Sequence, residues 1–72
     1  MIFNTALDLI KEGTTVRRTK WEKNIYLIWD NKNKNIQILV HFYPMYWKPL
    51  QEDILATDWE INDTASGYLE QI

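Results

Sequence analysis

In a chain of 72 residues with no cysteine and a single histidine, chemistry has few places to reside. His41 has no thiolate and no second imidazole with which to share a metal ion, so a metal site is not expected and a structural or surface role is. Ser66, the only serine, lies near the end of the sequence. Two glycines, Gly13 and Gly67, are too few for a nucleophile elbow or a phosphate-cradling loop. Glu52, Asp53 and Asp58 form an acidic group that proton transfer could use, but the same charges arise at a helix start and in solvated turns. The expectation is a protein that is not an enzyme, with no catalytic residue, no metal and no cofactor.

Binding fits these residues better. Arg17, Arg18 and Lys20 place three cations within four positions, next to Trp21, and a later aromatic group of Tyr43, Tyr46 and Trp47 precedes Gln51 and Asp53. A nucleotide needs flat apolar surfaces for its base and cations or N–H donors for its phosphate, and both kinds of group are present. The net charge of −2 argues against coating a long polyanion and suits a small anionic ligand. The competing reading makes Trp21 and Trp47 anchors of the core or of an oligomer interface, and the basic triplet a solvated face.

The elements that must position these residues follow from the pattern. Residues 3–13 read as a short helix, capped by Asn4 or Thr5 and stapled by Phe3. Ala6, Leu7 and Ile10 share its inner face, and Gly13 stands at the left-handed C-terminal position. After a β-branched stretch, Thr14 to Val16, the segment Arg17 to Trp21 is too basic for a core strand throughout. Ile25 to Trp29 and Ile36 to Tyr43 form an antiparallel hairpin around the polar tract Asp30 to Asn35. Pro44 ends the second strand, and Met45 to Pro49 is an aromatic loop held by proline at each end. Gln51 to Ala56 suits one or two helical turns. Asp58 to Ile61 suits a last strand with Trp59 and Ile61 on the buried face. The tail 62–72 has weak helical character.

These elements make one domain, 1–72, of α+β class: an N-terminal helix packed on a small antiparallel sheet, with a short helical turn before the last strand. The chain is 46% hydrophobic and carries ten aromatic residues, four of them Trp. Folding at this size hides only about 60% of the unfolded chain's surface, so so many large apolar groups argue for assembly or a ligand. Phe3, Tyr26, Trp29, Phe42 and Trp59 are the expected core aromatics. Trp21 and Trp47 are assigned to a ligand pocket, and Tyr43, Tyr46 and Tyr68 stay open between interface and surface. The longest apolar run of the hairpin, Ile38 to Val40, is far below the ~20 residues of a membrane span, and no export signal is visible. A cytoplasmic location is expected, where the glycosylation sequon at Asn62 has no consequence.

Two stretches carry a resemblance. Phe3-x-x-Ala6-Leu7-x-x-Ile10-Lys11-x-Gly13-x-x-Val16-x-Arg18-x-x-Trp21, followed by Trp47-x-Pro49-x-Gln51-x-Asp53-Ile54-Leu55-Ala56-x-Asp58-Trp59-Glu60, resembles the second group of Thoeris anti-defence proteins of bacteriophages. The resemblance implies a sponge in the infected bacterial cytoplasm, a homotetramer that sequesters a cyclic nucleotide immune signal without cleaving it. The implied signal is a cyclic ADP-ribose isomer, with the cyclic dinucleotides of CBASS defence as a second class. By position it implies ligand-binding roles for Arg18, Trp21, Trp47, Gln51 and Asp53, with Arg18 near a phosphate; Ala56, Asp58 and Trp59 would hold the second motif's shape. The chain departs from the family at Asn4, at Lys20-Trp21-Glu22-Lys23 where glycines flank the tryptophan, and at Leu50, where a serine is common. Its middle is also shorter. Some related proteins act instead as anti-CRISPR inhibitors, so a protein-binding inhibitor using the Tyr43 to Trp47 segment is the alternative. A virion component is a third reading, supported only by small size and aromatics.

Overall fold

A computed structural model describes residues 1–62 of the chain. Helix α1 (Phe3–Lys11) is followed by strands β1 (Val16–Arg18), β2 (Ile25–Asp30), β3 (Asn35–Val40) and β4 (Tyr43–Tyr46), then helix α2 (Gln51–Leu55) and strand β5 (Trp59–Ile61). The five strands form one antiparallel sheet in the order β4-β3-β2-β1-β5. The fold is the expected α+β arrangement, with α2 as the short helix before the last strand.

Helix α1 buries Ala6 and Ile10, four residues apart on one face, against β1, β2 and β5. Neither Asn4 nor Thr5 caps it. The N-cap is Ile2, with no side-chain hydrogen bond. Tertiary contacts explain the earlier start: the Met1 ammonium donates to the carbonyls of Thr57 and Trp59, and the Trp59 amide donates back to the Met1 carbonyl. The segment before α1 is thus tied to β5, and the helix begins immediately after it. Gly13 ends α1 as expected, with φ +97°. Its amide bonds to Ile10 and that of Thr14 to Leu9, both at 2.9 Å, completing a Schellman motif that a Cβ would strain.

The β2–β3 hairpin closes at the Asp30↔Asn35 pair. The Asp30 carboxylate organises the turn, accepting from the Lys32 amide, the Asn33 side chain and the Gln37 side chain. The second half of the hairpin region differs from expectation. A two-residue turn at His41 and Phe42, φ +52° and +69°, divides the expected strand 36–43, and Pro44 lies inside β4 rather than after a strand. β4 is the outermost strand, where a missing N–H leaves no interior ladder bond unmade. Met45 and Tyr46 therefore belong to a strand and not to a proline-bounded loop. Phe42, expected in the core, is 54% exposed at the turn.

At the other edge β5 pairs with β1 through Val16↔Ile61, Arg17↔Glu60 and Arg18↔Trp59. Trp59 is buried as expected, whereas Ile61 is exposed at the rim of this outer strand. The segment Arg17 to Trp21 is not a strand throughout: its first two residues end β1, which is an interior strand, and the remainder is a turn. The buried cluster is Ala6, Ile10, Val16, Leu27, Trp47 and Trp59, with Phe3, Trp21 and Trp29 among the half-buried residues against it. Tyr26 is also buried. Asn62 is buried too: its amide donates to the Thr15 carbonyl at 2.9 Å and its side chain to the Lys23 carbonyl at 3.1 Å. The rest of the tail, with Tyr68 and the expected helical character, lies outside the described residues.

Candidate functional site

Trp59 is the centre on which the two sequence motifs converge. Its ring meets Trp21 edge-on at 5.4 Å and Trp47 edge-on at 6.1 Å, and Phe3 at 5.5 Å on a tilt. Such angled ring pairs are favourable beyond the area they bury. The Trp59 indole N–H donates to the main-chain carbonyl of Asp53 at 2.9 Å, which fixes α2 against the start of β5. The alternation of β5 turns Trp59 inward toward α1, and the β1 register sets Arg18 directly beside it.

Arg18 is buried, which a guanidinium tolerates only when its donors are answered by charge. Its Nη1 pairs with the Asp53 carboxylate at 2.6 Å and its Nε with that of Asp58. Burial works against the charged form, but the hydrogen bonds and negative charge of Asp58 and Asp53 outweigh it and raise the guanidinium pKa above its ordinary value. The guanidinium carbon also lies 6.0 Å from the Trp59 ring centroid. Asp58 is shared: its second oxygen accepts from the Thr19 hydroxyl at 2.7 Å. That hydrogen bond, followed by the one from Arg18, holds the Asp58 carboxyl below the usual carboxylate range.

The structure thus brings Arg18, Trp21, Trp47 and Asp53 around one centre, with Gln51 exposed on the first turn of α2. They differ in how they face solvent. Trp21 is half-buried, whereas Trp47 is only 7% exposed and packs on Phe3 and Trp59 in the core. The basic triplet is a solvated face only at Lys20, which is exposed; Arg17 and Arg18 are covered. Arg17 pairs with Glu60 at 2.6 Å, and Lys20 with Glu52 at 3.1 Å, so each of the three cations has a carboxylate partner in the chain. Three cations face four carboxylates, Glu52, Asp53, Asp58 and Glu60. The charge of this end of the sheet is therefore compensated within the protein.

Arg17, Thr19 and Glu60 escaped the assignment of site residues from sequence. Arg17 stood out only as one of the basic triplet and Glu60 only as the last position of the second motif; their pairing appears only in the β1–β5 register. Among the described residues no helix is long and apolar enough to cross a membrane.

A short helix on a five-stranded antiparallel sheet, with an arginine locked between two aspartates beside a tryptophan cluster at one end, defines a small α+β domain. The family model for the Thoeris anti-defense 2-like domain matches residues 1–62, and the chain belongs to that family. No curated protein matches the chain in sequence.

Proposed function

We propose that this chain is a sponge, which binds a cyclic nucleotide immune signal and holds it without cleaving it. A cyclic ADP-ribose isomer is the leading ligand class and the cyclic dinucleotides are the second. Membership of an anti-defence family supports the general role. The observation that carries the finer reading is the half-buried Trp21, standing beside Arg18 on the Trp59 platform. A flat base stacks on such an indole for about 1–3 kcal/mol.

The two aspartates divide the labour at Arg18. Asp53 has a side chain only 6% exposed and is the permanent counter-charge; Asp58, at 34%, is the partner that a ligand phosphate displaces. Gln51 offers an amide to the ligand from α2. Trp47 backs the platform from the core. Assembly into copies, a tetramer in the family pattern, gives a shared site and covers the exposed aromatic side chains of β4. The setting is the cytoplasm of an infected bacterium.

Recovery of the ligand tests the reading. Protein saturated with a cyclic ADP-ribose isomer is heated, and the released small molecule is compared with the input. Intact ligand agrees with capture, and a cleaved product overturns it in favour of an enzyme. Phe42, Tyr43, Met45 and Tyr46, all exposed at one edge of the sheet, favour a second reading, a protein-binding inhibitor of a bacterial defence effector. A stoichiometric partner pulled from host lysate, with no response to any cyclic nucleotide, would select it.

A further inference from the structure

Successive residues of a strand face opposite sides of a sheet, so β1 turns Arg17 away from the side that Arg18 serves. Arg17 is nonetheless well covered, its side chain 12% exposed. Its Nη2 meets Glu60, its register partner on β5, at 2.6 Å. Its Nη1 donates to the main-chain carbonyl of Trp21 at 2.7 Å and to that of Arg18 at 3.1 Å, with the Thr19 carbonyl at 3.4 Å. One guanidinium thereby spans the edge strand and the turn that leads into Trp21. The turn's own bond, from the Trp21 amide to the Arg18 carbonyl at 3.0 Å, completes the clamp. Trp21 is fixed at both its amide and its carbonyl, and its ring is left edge-on to Trp59.

We propose that Arg17, braced by Glu60, is a positioning residue for Trp21. It holds the turn through main-chain carbonyls and so sets the indole that receives a ligand's flat ring. The functional half of this inference rests on the capture reading, and the positional half does not. The device needs a planar fork that reaches a carboxylate on one side and carbonyls on the other; a lysine ammonium is a point charge and cannot do both. Arg17 Nε, buried with no hydrogen-bond partner among the described residues, is consistent with an orientation dictated by the turn and Glu60.

The test uses Arg17→Lys and Glu60→Gln, each studied well below its own melting temperature, with Trp21→Phe to assign the Trp21 contribution to the near-UV circular dichroism. Arg17→Lys is expected to keep the far-UV spectrum, lose the Trp21-dependent near-UV signal and bind a cyclic ADP-ribose isomer at least tenfold more weakly by calorimetry. Glu60→Gln should fall between it and the unmodified chain, and carries the test if Arg17→Lys does not fold. Retention of the Trp21 signal in these variants overturns the inference, as does loss of the signal with affinity unchanged. If the unmodified protein binds no cyclic nucleotide, the capture reading fails, and the near-UV comparison still decides whether Arg17 positions Trp21.

Discussion

Arg18 and Asp53, 35 residues apart in sequence, meet at 2.6 Å in a buried ion pair that joins the interior strand β1 to helix α2. The pair links the two motifs physically: the first ends in the turn to Trp21, and the second begins on the segment that carries Trp47 and Gln51. Removing Asp53 leaves the buried guanidinium with Asp58 alone and its Nη1 unanswered. Asp53→Asn is expected to cost about 3–5 kcal/mol in chemical denaturation. That is a large part of the total stability of a domain this size, roughly 4–11 kcal/mol. The double variant Arg18→Met, Asp53→Leu should recover much of the loss, because it removes the buried pair and leaves only Asp58, the more exposed carboxylate, without its arginine. A single variant as stable as the parent would contradict the geometry.

Trp21 and Trp47 separate by the same kind of measurement. Trp47→Ala empties a site in the core and should cost about 3–5 kcal/mol. Trp21→Ala loses one edge-on ring pair and part-buried area, roughly 1 kcal/mol, while weakening ligand binding strongly. Equal stability losses, or unchanged affinity in Trp21→Ala, would reject these roles.

Acid should loosen the same region. The Asp58 pKa is depressed in the folded state, first by the Thr19 hydroxyl and then by Arg18, against an unfolded value of about 3.9. Its contribution is therefore fully present above that unfolded value, and is lost as pH falls through about 4 toward the folded pKa. Thr19→Val removes the leading cause. The stability gap between parent and Thr19→Val, followed by thermal melts from pH 7 to pH 3, should be widest near neutrality and close on acidification. A gap that is independent of pH would show that Asp58 is not held this way.

The β3–β4 turn holds His41 and Phe42 at positive φ, a conformation ill suited to the bulky Phe42 above all. His41→Asn with Phe42→Gly supplies the residues such a turn prefers and should stabilise the fold by roughly 1–2 kcal/mol. A lower denaturation midpoint would mean that the side chains replaced contribute more than the strain costs.

How much of this was written in the sequence depends on how local each cause is. Ala6 and Ile10 on the inner face of α1, the Gly13 stop, the β2–β3 hairpin and α2 all rest on neighbours within a few residues, and pattern and propensity located them; Leu7, expected on that face, is outside the core cluster, and Leu9 packs there instead. The split between β3 and β4 did not show, because His41 and Phe42 carry none of the Gly or Asn chemistry that announces a tight turn. Pro44 misled for a related reason: proline forbids an interior strand but not an outer one, and only the sheet order says which β4 is. Arg18 reads as solvated until its partners are known, and they lie 35 and 40 residues downstream. The structure sets Arg18, Trp21, Trp47 and Asp53, the residues that the resemblance names, around Trp59. Whether an aromatic side chain faces inward, as Trp47 does, or outward, as Phe42 does, is decided by packing that no spacing rule contains.

The central claim, capture of a cyclic nucleotide, is tested most directly by thermal shift of the unmodified protein against a panel of cyclic ADP-ribose isomers and cyclic dinucleotides. A ligand at a hundredfold its Kd adds about 2.7 kcal/mol, which for a domain of this size raises the melting temperature by on the order of 10 °C. The account predicts a saturable shift of that order with at least one member of the panel, reduced in Trp21→Ala. No shift with any member, at concentrations up to the millimolar range, would contradict it.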